Sequence, residues 1–329
     1  MIATSCPLAI LPWLMAGVIS LPGGPPVGMD YLAYDAANGR VWVPAGNTGS
    51  VDVVDTATGK MTTLGGFATA PARRPGRPRM GPSSVTIGGG TAWVGNRGDD
   101  QVCSFDARTL DRGPCARLSS MPDGLAYVAT THEVWVTTPG DNTITIIDIQ
   151  GKPPARTAAI KLPGEPEGFA VDQARGIFYT NLEDQDRTLA IDVKKRTVTA
   201  SWPATCGANG PRGLAIDTTR RLLFVACTSG AVTLDLAKDG RPVGRLETGG
   251  GVDNIDYLAA SSLLYVASAK DATLTIARVA PGGALSAVAI RPTAKGARNA
   301  VVDANGSAYV ADSAGGALIV VKAPGTHAP

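Results

Sequence analysis

The stretch VWVPAGNTGSVDVVDTATGK, Val41 to Lys60, recurs along this chain and leaves few folds open to it. Two short apolar runs, VWV and VDVV, flank a Gly/Asn turn, and the second run ends on Asp55 before a polar TATG turn. Side chains alternating at a period of two belong to strands, so the stretch reads as a β-hairpin. Related text returns at WVGNRGDDQVCSFDARTL, WVTTPGDNTITIIDIQGK, FYTNLEDQDRTLAIDVKK, FVACTSGAVTLDLAKDG, YVASAKDATLTIARVAPGG and YVADSAGGALIVVKAP, making seven copies. Their aromatic anchors, Trp42, Trp93, Trp135, Tyr179, Phe224, Tyr265 and Tyr309, are separated by 51, 42, 44, 45, 41 and 44 residues. That period fits a four-stranded propeller blade and is too long and too strand-rich for leucine-rich or helical repeats.

Each anchor is preceded by a strand such as the LAID of GLAIDTTRRLLFV, and each hairpin is followed by a fourth strand such as TAAIKLPG. The expected fold is an all-β, seven-bladed propeller with four antiparallel strands per blade, one domain over residues 15–323 with tails at 1–14 and 324–329. The last unit, residues 297–323, holds only three strands, which would leave an open sheet edge. A spare strand at about residues 15–22 is the piece to fill it, because AGVISLPGGPPVGMDYLAYD lies in register with AAIKLPGEPEGFAVD, the text ending at Asp172. The last blade is therefore expected to be completed by the N-terminal strand.

The apolar run at residues 7–22, PLAILPWLMAGVISLP, resembles the core of a secretion signal, but no Lys or Arg precedes Arg40 and prolines interrupt it. It is too short for a membrane helix, and its second half is better explained as that strand. The alternative is a start that lies inside a longer precursor. A net charge of +2, from 30 Lys and Arg against 28 Asp and Glu, supplies no general field for nucleic acid or an anionic membrane. The chain is expected to be a monomer with no nucleic-acid partner and no membrane span.

Cys103 and Cys115 fall on the two arms of one hairpin in blade two, near where cross-strand partners meet, while Cys206 and Cys227 border the inner and second strands of blade five. Both pairs are disulfide candidates, with Cys6 left over. Paired cysteines favour a periplasmic or secreted protein, the alternative being a cytosolic one with buried reduced thiols. The one long repeat spacing maps to PARRPGRPR, residues 71–79, expected to be a solvated basic loop, with contact to an anionic partner as the functional alternative. Two sets of aspartates close strands into turns, Asp35, Asp172, Asp217 and Asp303 in one and Asp55, Asp106, Asp148, Asp192 and Asp235 in the other. Acceptance of turn amides accounts for them without catalysis.

The pattern of aromatic–Val, then VxVID-x-x-TG, then PxGxAxD resembles the YVTN family of seven-bladed propellers, close in pattern to NHL and SMP-30/gluconolactonase-like propellers. It is carried by Trp42-Val43, Val51 to Thr58, Thr143 to Asp148, Pro166 to Asp172, Tyr179 to Asn181, Leu189 to Asp192 and Pro211 to Asp217, and it covers about residues 15–323. Such a resemblance bears on fold more than on function, because propellers host binding, hydrolytic, lyase and redox roles alike.

The only histidines, His132 in a turn and His327 in the tail, leave no Ser-His-Asp triad and no His-rich metal site, and neither a GxSxG elbow nor a phosphate loop is present. What remains is the mouth of the central channel. Aligning the PxG turns gives one residue per blade, Asp30, Ser83, Asp123, Glu167, Arg212, Asp253 and Arg298, each 10 to 12 positions before its anchor. Arg212 would stand between Glu167 and Asp253, and Arg298 between Asp253 and Asp30, so ion pairs could close across neighbouring blades. The ends of the second strands add Asn96, Asn181, Cys227 and Asp312, and Asn254 and Asn299 follow ring positions.

The default function is a binding or scaffold protein that presents this mixed-charge mouth to a small polar ligand or a protein partner. The alternative is implied by the SMP-30-like resemblance, whose members hold a metal with Glu, Asn and Asp at inner positions. Glu167 in PEGFAVD and Asp123 in PDGLAYV match that style of turn, although the family's first-blade Glu-Gly-Pro start is absent. In that reading Glu167, Asn181, Asp253 and Asn299 would hold Ca²⁺ or another divalent cation for a lactonase-like hydrolysis, with Glu167 or Asp253 as ligand or base.

Overall fold

Each repeat becomes one antiparallel sheet because its apolar positions alternate, and a sheet that is apolar on both faces needs another sheet on each side. The computed structural model describes residues 17–322 except 74, 77, 208 and 209. It contains seven four-stranded sheets arranged as the blades of a propeller. In the first six blades the strands follow chain order from the axis outward, as in blade four, Pro166–Asp172, Ile177–Leu182, Arg187–Asp192 and Thr197–Pro203.

The seventh blade takes its strands from both parts of the chain. Ala300–Val302, Ala308–Asp312 and Ala317–Val321 come in order, and Gly17–Ser20 supplies the outermost strand, with Gly17 opposite Val320 and Ser20 opposite Ala317. The expected closure is present. The amide of Leu21 extends the contact by donating to the Gly316 carbonyl at 2.8 Å, and its side chain is buried.

Seven apolar clusters fill the seven spaces between neighbouring sheets. All seven anchors are buried within them, and Trp42, Trp135, Phe224 and Tyr265 are fully enclosed. The cluster that joins the last blade to the first gathers Leu21, Val27, Met29, Val43, Tyr309 and Leu318, so the ring is sealed by side chains as well as by strand pairing. Every one of the nine turn aspartates accepts at least one backbone amide from its own turn, as Asp55 does from Ala57 at 3.1 Å and Thr58 at 2.8 Å. That is the structural role expected of them.

Cys103 and Cys115 are direct cross-strand partners in blade two and are bonded, as are Cys206 and Cys227 in blade five. Two disulfides are consistent with an extracellular or periplasmic location. Cys6 and His327 lie outside the described residues. No helix among the described residues is long and apolar enough to cross a membrane. The basic loop is closed at its base by paired backbone bonds between Ala70 and Met80, both at 2.8 Å. Arg79 folds back onto Thr69, bonding its hydroxyl at 3.0 Å and its carbonyl at 2.8 Å, while Arg74 and Arg77 are not among the described residues.

Removal of residues 1–22 is expected to lower the melting temperature of the whole molecule, and Leu21→Ala alone to cost about 2–3 kcal/mol from lost burial and the cavity left behind. An unchanged melt of the truncated chain would refute closure by this strand. The disulfides close loops of 12 and 21 residues, so each is expected to add about 3 kcal/mol by constraining the unfolded chain. Thiol titration of the denatured, unreduced protein should then find one free thiol, rising to five after reductant.

Candidate functional site at the channel mouth

The innermost strands reach the mouth through irregularities that re-aim their first side chains. Pairing with the second strand shifts register between Pro82 and Ser84, between Glu167 and Phe169, and between Pro211 and Leu214. Such bulges turn a residue out of the regular alternation, and here the displaced residues are Ser83, Gly168 beside Glu167, and Arg212 with Gly213. Gly168 makes the middle one possible. Its φ of +68° belongs to the left-handed region, and a Cβ there would lie 2.6 Å from the Arg212 carbonyl oxygen of the next blade.

Six of the seven ring residues share one electrostatic neighbourhood. Asp30, Asp123 and Asp253 all act on Glu167, and Arg212 and Arg298 act on Asp253. Ser83 contributes differently, since its carbonyl accepts the Tyr31 amide at 2.9 Å and its buried hydroxyl has no partner among the described residues.

The ion pairs differ from those the ring order suggested. Arg298 Nε does meet Asp253 Oδ2 at 3.1 Å. Arg212 is bonded instead to Glu183, at the turn beyond the second strand of its neighbour blade. A further buried pairing at the mouth involves Arg97, which lies outside the seven aligned ring positions. Its Nη2 reaches Asp30 Oδ2 at 2.9 Å and also Asp123 Oδ1, while Nε donates to the Pro122 carbonyl at 3.2 Å. Burial disfavours the Arg97 charge, yet the two carboxylates more than offset this and raise its pKa.

Glu167 has no ion-pair partner among the described residues. Its carboxyl Oε1 lies 3.1 Å from the Tyr31 hydroxyl, which is itself 3.3 Å from Asp123 Oδ2 and accepts the Gly168 amide at 3.2 Å. A phenol has one proton to give. The arrangement is satisfied throughout if Glu167 is protonated and donates to Tyr31, and Tyr31 donates to the Asp123 carboxylate. The energetics agree. Burial, followed by repulsion from Asp123, Asp253 and Asp30, holds the Glu167 carboxyl well above the usual carboxylate range. Burial also pushes Asp123 up to about 6, against the pull of Arg97, and raises the Tyr31 phenol.

The proposed cation ligands do not converge. Asn181 Oδ1 accepts the Thr188 hydroxyl at 2.7 Å and its Nδ2 is bonded to the Arg212 carbonyl. Asn299 Oδ1 accepts the Asn254 amide at 3.1 Å, and its Nδ2 donates to the Asp30 carbonyl at 3.0 Å. Asp253 is held by Arg298, and no three His, Cys, Asp or Glu among the described residues are grouped to hold a metal. A hard cation needs six or more oxygens turned toward it. The set Glu167, Asn181, Asp253 and Asn299 does not fit one in this arrangement. Of the other strand-end positions, Asn96 and Asp312 accept amides of their own turns, from Gly98 at 3.1 Å and Gly315 at 2.9 Å, and Cys227 is spent in its disulfide.

Glu167→Gln tests the protonation state, because an amide reproduces the neutral acid and its donor. A carboxyl whose folded pKa is raised contributes stability that is fully present below its unfolded value, near 4.5, and is lost as pH rises toward the folded value. The variant should match the parent near pH 4 and melt higher than it at pH 7–8. A variant less stable than the parent by the same margin at both pH values would show that Glu167 is ionised.

No family model and no curated protein matches this chain. Solved structures do resemble it. A chain of a mitotic checkpoint complex superposes with a TM-score of 0.77 at 14% identity, covering 98% of both chains. Hydrazine synthase from Kuenenia stuttgartiensis gives 0.75 at 14% identity over 92% of this chain and 97% of the other. A streptogramin B lyase gives 0.72 at 12% identity, over 93% and 97%. At such identities the likeness concerns architecture alone, and with the sheet order it establishes this chain as a seven-bladed β-propeller.

Proposed function

We propose that this propeller is a binding module whose channel mouth takes a small polar molecule bearing both a carboxylate and a hydrogen-bonding group. The observation that carries the reading is the contrast between spent and unspent groups. Arg97 is consumed by Asp30 and Asp123, whereas Arg298 keeps half of its side chain exposed and bonds only Asp253 among the described residues. Glu167 presents an acid with no ion-pair partner among the described residues, and it lies within electrostatic range of Arg298. A planar guanidinium suits a carboxylate. The Glu167 acid, whose proton goes to Tyr31, can still accept from a hydroxyl or amide of the ligand.

Such a ligand would lie across the mouth with its anionic end on Arg298. A thermal-shift screen of α-amino acids and small hydroxycarboxylates is expected to raise the melting temperature for at least one member, equally with and without EDTA. Arg298→Ala should then weaken that ligand by about tenfold, the effect of one charged hydrogen bond. No stabilisation by any member would defeat the proposal. Hydrolysis of a small lactone abolished by EDTA and by Glu167→Gln would replace it with the metal-assisted alternative.

A further inference from the structure

Below the mouth the channel opens into a cavity of about 410 Å³ between the innermost strands. That volume is within the range of small-molecule sites. Its wall includes Asp30 and Asp256 but no lysine, arginine or histidine among the described residues, and its aromatic members are Tyr31, Tyr34, Phe169 and Tyr257, the last with its ring packed on Phe224 at 4.7 Å. The two carboxylates are not equivalent. Asp30 is neutralised from behind by Arg97 and accepts Asn299 Nδ2 at 3.2 Å.

Asp256 has no cation within ion-pair distance among the described residues. Its Oδ1 accepts its neighbour amide from Tyr257, and its Oδ2 accepts the Val302 amide of the next blade, both at 2.8 Å. These bonds fix the carboxyl in place at the cavity wall without supplying a counter-charge. Two positions earlier, Asn254 also lines the cavity, and its buried Nδ2 has no hydrogen-bond partner among the described residues. Burial raises the Asp256 pKa, the expected cost of an ion without a partner. A fixed carboxylate and an unfilled amide donor, set in a chamber that mixes polar groups with aliphatic and aromatic ones, describe a site rather than a filled core.

We infer that this axial cavity binds a small organic cation, its ammonium group against Asp256 and its alkyl substituents against the aromatic wall. A bare metal ion is a poor occupant, since one free carboxylate and one amide cannot replace its hydration shell. An alkylammonium ion is weakly hydrated on its apolar side, and both the carboxylate and aromatic faces attract it. The Asn254 amide would meet a hydroxyl or ether oxygen on the same molecule. This site shares Asp30 with the mouth but is built on Asp256 and Asn254, and it does not require a ligand on Arg298.

The test is calorimetric titration of the full chain with choline and with its uncharged isostere 3,3-dimethyl-1-butanol. Saturable choline binding is expected, with the alcohol weaker by about tenfold or more. Asp256→Asn should lose choline binding by a similar factor. Because that change could disturb the Val302 contact and prevent folding, Val301→Phe provides a second arm. It fills the cavity from the wall without altering charge and should also block choline. No saturable binding at millimolar choline, equal binding of the alcohol, or unchanged choline affinity in either folded variant would overturn the inference.

Discussion

The structure depends on apolar contact between neighbouring sheets. A single blade cannot cover either of its faces, so no blade is stable until it is flanked on both sides. The seven interblade clusters are therefore one continuous requirement, and the cluster between the last and first blades is as necessary as any other. Large aromatic side chains dominate several of these spaces, with Trp135 and Phe178 ring centroids 5.2 Å apart between blades three and four. Ring closure follows from this requirement, because an open arc would leave two apolar faces in water.

A ring of packed sheets brings the starts of seven inner strands to one mouth, and there burial and charge oppose each other. Four carboxyl groups converge, and three arginines approach them from the rim and the neighbouring turns. The resolution is unequal. Arg97 bridges two carboxylates, Arg298 holds one, and Arg212 turns aside to Glu183. Glu167 is stabilised by taking a proton, since its charge would face those of Asp123, Asp253, Asp30 and Glu183 with no ion-pair partner among the described residues. The polarity of the mouth is thus set by the positions the guanidiniums reach, not by the count of charges in the ring.

Features governed by neighbours in the chain were legible before the structure. The anchors, the aspartate turns and the pairing of Cys103 with Cys115 all follow from local alternation and hairpin register. Pairings between blades were not, and Arg97 and Glu183 both emerge from turns whose aim depends on packing many residues away. Tyr31 was the readable exception that was missed. The residues following the seven ring positions are Tyr31, Ser84, Gly124, Gly168, Gly213, Asn254 and Asn299, so one large side chain stands among small ones. The departure from the repeat marks the residue that crosses the mouth to Asp123 and Glu167. The amides of the expected cation-ligand set are engaged for a related reason: amide side chains near a strand end most often serve nearby backbone, as Asn181 and Asn299 do.

The outer strand of the last blade also sets a clock. Gly17–Ser20 emerges from the ribosome early but pairs only with Ala317–Val321, near the far end of the chain. At roughly 5–20 residues per second, synthesis of the intervening segment takes on the order of 15–60 s. For that interval the nascent protein carries an unpaired strand and an unfinished arc of blades, both able to pair with another chain. Selection on such a sequence acts on the waiting state as well as on the finished ring.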